Sequence, residues 1–99
     1  MIVVLASNEP PRLTDLDRLD RLHAELHGAL DAAQLGDLCE PAEDEHVWLD
    51  VARARANGVE RSSDATFGEN FDAMIGYAAS KGWLNDAGTH VRAHVEPAD

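Results

Sequence analysis

The chain has one cysteine, Cys39, so it can form no intramolecular disulfide and carries no CxxC metal or redox motif. Positive charge is also scarce. Eight Lys and Arg face nineteen Asp and Glu, for a formal net charge of −11. Proteins that bind nucleic acid displace counterions with basic stripes, and this balance argues against direct binding to DNA or RNA. With only five aromatics, no basic-aromatic stacking platform offsets it. Long apolar runs are missing too. The opening MIVVLASNEPP is apolar for a few residues and has no basic start, too little for a signal peptide or a membrane span. A cytoplasmic protein with no membrane partner is the expectation. Gly-rich phosphate loops, a nucleophile elbow and the HExxH zinc motif are all missing, and no cofactor is implied.

What is present fits one globular domain over residues 1–99. Hydrophobic content of 44% rules against wholesale disorder. A domain this small buries a modest core and can enclose a ligand by self-association, so a homodimer is expected. Seven of the eight basic residues are Arg and alanine is abundant, as in GC-rich bacterial genomes.

Residues 1–7 are apolar on both faces and β-branched, which predicts a central strand stopped by Pro10 and Pro11. Leu16, Leu19, Leu22, Leu26 and Leu30 recur at helical spacing after Thr14, predicting a helix over 14–35 with Gly36 beyond its end. Residues 46–52 alternate and read as a strand paired with DLCEP, although acids early and arginines late also allow a helix over 43–57. TFGE suggests a capping box, Thr66 with Glu69, opening a helix over 66–81 with Gly82 after it. Residues 89–96 alternate as a last strand, and 97–99 form a polar tail.

These elements predict an α+β fold: a small antiparallel or mixed sheet with two helices on one face, in the ferredoxin-like (split βαβ) order β-α-β-β-α-β. If 43–57 were helical, three helices would pack on two strands.

Alternation gives the main functional clue. Val91, Ala93 and Val95 should face the helices, leaving His90, Arg92, His94 and Glu96 outward. The same logic puts His46, Trp48 and Asp50 on that open face. His46, Trp48, Asp50, His90, Arg92 and His94 are therefore the candidate ligand-binding residues, although a merely solvated face would alternate the same way. Trp48 favours a covered face, because a large aromatic among polar groups needs cover. A weaker metal candidate is His23 and His27 with Asp20 and Asp31, one stripe if 14–35 is helical. The functional expectation is a small acidic interaction or ligand-binding module without its own catalysis. Its partner would be a second copy, a basic protein or a small molecule. The alternative is a cofactor-independent isomerase- or oxygenase-like enzyme using that face, with a His as general base.

Overall fold

The computed structural model describes residues 1–6, 10–16, 18–19, 22–28, 38–42 and 45–97. In chain order its elements are β1 (Ile2–Ala6), β2 (Arg12–Thr14), β3 (His23–His27), β4 (Cys39–Pro41), β5 (His46–Asp50), α1 (Val51–Arg61), α2 (Phe67–Ser80) and β6 (His90–Pro97). The six strands form one sheet in the order β2-β1-β3-β6-β5-β4. β1 runs parallel to β3 and β3 parallel to β6, while the other three pairings are antiparallel. The sheet curls into a mixed half-barrel.

This corrects the ferredoxin-like expectation. Among the described residues the order is five strands, two helices and a strand, not β-α-β-β-α-β. The error lies in the helix expected over 14–35. His23–His27 is a strand between β1 and β6, with Ala24 paired to both Val3 and Val95. HAELH itself alternates polar and apolar, and pairing on both edges satisfies its backbone, which outweighs the helical leucine spacing. Leu16, Leu19, Leu22 and Leu26 are still partly buried against the core; Leu30 and Gly36 lie outside the described residues.

The middle segment divides between its two readings. HVWLD is β5, paired with β4 as expected, and the chain turns into α1 at the next residue. Asp50 makes that switch possible. It has extended backbone angles, and its Oδ1 accepts a hydrogen bond from the Arg53 N–H at 2.9 Å, capping the helix. The helix allowed over 43–57 begins only at Val51 and runs on to Arg61, with Gly58 buried inside it.

α2 starts at the expected place, but the capping box does not form. The Thr66 hydroxyl makes no cap hydrogen bond and donates instead to Asp64 at 2.6 Å. Its C-terminus follows the sequence reading closely. Gly82 takes φ +75°, its N–H bonds the Ala79 carbonyl, and Trp83 N–H bonds the Ala78 carbonyl. This is a Schellman closure, and it fixes where Trp83 leaves the helix.

One face of the sheet carries Leu13, Val3, Leu5, Ala24, Val95, Ala93, Val91, Leu49, Val47 and Cys39. All are buried in a single core with Ala54, Phe67, Phe71 and Ala78 of the helices. Among the described residues, no helix is long and apolar enough to cross a membrane.

Candidate functional site

The ladder fixes the opposite face. β5 and β6 pair with His46 opposite His94, Trp48 opposite Arg92, and Asp50 opposite His90. Partners in a ladder point to the same side, so all six candidate residues share one face. β3 then adds His23 opposite His94, and Glu25 opposite Glu96. Three imidazoles from neighbouring strands, His46, His94 and His23, thus form one row across the sheet.

Their contacts differ. The His46 and His94 rings meet edge to face with centroids 5.2 Å apart. Glu96 sits between two imidazoles, 3.6 Å from His23 Nε2 and 3.7 Å from His94 Nδ1. His27 pairs with Glu25 at 2.8 Å. His90 belongs to a different network. Its Nδ1 lies 2.8 Å from the Thr89 hydroxyl, and its Nε2 is 3.9 Å from Asp50 and 4.0 Å from Glu40. Asn85 accepts from the Thr89 and His90 backbone N–H groups and holds this turn. Asp50 is already engaged as the α1 cap, so this corner organises the fold as much as it offers chemistry.

The helical metal stripe needs correction. On a strand, His23 and His27 are separated by about 13 Å, too far to share an ion. Asp20 and Asp31 lie outside the described residues. Among the described residues, no three His, Cys, Asp or Glu side chains are placed to hold a metal. Cys39 is buried, and loss of hydration pushes its thiol up to about 12. It is no nucleophile at neutral pH.

A feature not foreseen in the sequence lies at an irregularity in β6. The edge of β6 that pairs with β3 is shared. Near its start, Leu84 bridges Val91, and Arg92 N–H donates to the Trp83 carbonyl at 2.8 Å. β3 joins only from His94 onward. Between the two partners the sheet edge has a notch, and a cavity of about 750 Å³ opens there. Leu19 and Leu22, just before β3, line it with Trp83. α2 contributes Asn70, Ala73, Met74, Ile75, Tyr77 and Ala78, and the strands contribute Val91, Arg92, His46 and His94.

The candidate residues therefore split. His46, Arg92 and His94 reach this cavity; Trp48, Asp50 and His90 do not line it. Tyr77 and Trp83, both about half exposed, meet edge to face at its wall with centroids 6.0 Å apart. Their one sequence signal was position. Tyr77 falls off the Phe67-Phe71-Met74-Ala78 stripe, and Trp83 follows the helix-ending Gly82. An aromatic outside the stripe that builds a core is available for something else.

No known protein family matches the chain, nor does any curated protein sequence or solved structure.

Proposed function

We propose that the protein is a ligand-binding module that holds a small, largely apolar molecule in the notch beside β6, without chemistry of its own. The observation that carries this reading is the cavity itself. Its volume of about 750 Å³ falls in the range of small-molecule sites, and it has the usual make-up of apolar walls with a few convergent polar groups. The half-exposed Tyr77 and Trp83 support it, because paired aromatics on an acidic surface gain from cover. The buried Cys39 thiol fits a reducing compartment such as the cytoplasm.

The test is saturable binding of a neutral fluorescent probe, N-phenyl-1-naphthylamine, followed through its emission. One site per chain is expected. Ala73→Trp should abolish it, because Ala73 lines the cavity from an exposed position on α2 and a larger side chain there fills the space without entering the core. Probe binding that is unsaturable, or that survives Ala73→Trp in a normally folded protein, discards the reading.

A further inference from the structure

Resting on the small-molecule reading above, we infer that the ligand is an organic monoanion with an extended apolar body, its charged head held by Arg92. Nineteen of the ninety-nine residues are acidic, yet no Asp or Glu is among the described residues lining the cavity, while Arg92, His46 and His94 are. In a chain of net charge −11, the full charge among the described lining residues is the Arg92 cation.

Unlike the three arginines of α1, Arg92 has a charge to spare. In α1, Arg53 is near Asp50, Arg55 is bidentate to Asp72, and Arg61 donates to the Leu13 carbonyl and to Asn57. Among the described residues, no carboxylate forms an ion pair with Arg92. Its backbone is fixed on both edges, by Trp48 of β5 and by the Trp83 carbonyl, so the guanidinium projects from a rigid base. A guanidinium in that setting matches a carboxylate with two parallel hydrogen bonds. His94 is less available because Glu96 already faces it at 3.7 Å. Outside the lining, Lys81 Nζ lies 5.4 Å from the centroid of the Tyr77 ring, a second cation beside the aromatic pair. Leu22, Met74 and Trp83 give the apolar body its surface. A cation would meet Arg92 without compensation, and a neutral chain would leave the guanidinium to be partly dehydrated with no partner.

The experiment is competition against the neutral naphthylamine probe by dodecanoate, dodecanol and dodecyltrimethylammonium, which share a chain length and differ in head-group charge. Dodecanoate is expected to displace the probe at least tenfold more strongly than dodecanol, and the ammonium compound most weakly. Arg92→Gln should remove the acid's advantage, a loss of roughly ten- to hundredfold, with dodecanol unchanged within about threefold. Arg12→Gln, which deletes the same charge on the same sheet face two strands beyond β3, should keep the preference. Equal displacement by acid and alcohol, or a preference that survives Arg92→Gln, overturns the anion assignment while the cavity reading stands. If the probe and all three amphiphiles fail to bind, both fall together.

Discussion

Gly58 and Gly76 both lie inside helices, and the structure sets opposite fates for them. A Cβ at Gly58 would stand 2.2 Å from Phe67 Cζ, whereas one at Gly76 meets nothing within 4 Å. Phe67 cannot easily yield, since it is 2% exposed and stacked on Phe71 at 5.8 Å. Gly58→Ala should therefore destabilise by about 1–3 kcal/mol through overpacking, despite the helix propensity gained. Gly76→Ala should stabilise by about 0.5–1 kcal/mol. Urea unfolding of both variants checks the signs, and a shift in the same direction for the two would contradict this packing. Cys39 gives a second residue-level expectation. Burial raises its folded pKa to about 12, above the unfolded thiol at about 8.5. Its contribution is thus fully present below the unfolded value and is lost as pH rises toward the folded one. At pH 8, iodoacetamide should modify the folded protein far more slowly than the urea-unfolded chain. Comparable rates in the two states would place the thiol at the surface.

Where one period governed an element, the sequence was readable. β6 alternates, and its three buried residues, Val91, Ala93 and Val95, are those on the core side. α2 has one stripe and a glycine stop, and both hold. β3 was not readable, because Leu16, Leu19, Leu22 and Leu26 belong to different backbone segments that converge on one core and imitate a helix only in spacing. At the site, alternation revealed which residues share the open face. It could not reveal the notch, which depends on Leu84 taking part of an edge that β3 leaves free. The start of α2 also differs from its motif, and this has a pH consequence. The Thr66 hydroxyl and then the Thr66 N–H donate to Asp64, holding that carboxyl below its ordinary range. With the folded pKa depressed, the stability it adds is present above the unfolded value near 3.9 and is lost as pH falls through the folded one. The melting temperature of Asp64→Ala should lie below that of the natural protein at pH 7, and the gap should narrow below about pH 4. A gap that persists unchanged at pH 2 would assign the effect to something other than the carboxylate.

For the whole molecule, sheet order and net charge decide how it meets partners. The two edge strands, β2 and β4, have three residues each, and β4 ends in Pro41. Such short edges resist pairing with another chain. The self-association expected from the sequence remains a proposal, placed at the face of Trp48, His90, Arg92 and His94 rather than at a sheet edge. Sedimentation at neutral pH measures it, with a strict monomer as the contrary result. The charge bears more directly on the anionic ligand. Eleven net negative charges, taken near the 12.6 Å radius of gyration, repel a monoanion by about 3–4 kcal/mol in unscreened water. A Debye length of about 8 Å at 0.15 M salt cuts that repulsion about fivefold, while about 30 Å at 0.01 M removes only a third of it. Arg92 acts at contact distance, where the same salt change weakens attraction by about 0.3 kcal/mol. The distant repulsion therefore relaxes more than the local attraction. Dodecanoate affinity is expected to rise about tenfold between 0.01 and 0.15 M NaCl, the reverse of the usual salt dependence of an anion on an arginine. Dodecanol should change little over the same range, which separates charge screening from salting-out of the chain. An affinity for dodecanoate that falls with added salt would mean that local positive charge at the notch, rather than the acidic whole, controls the approach.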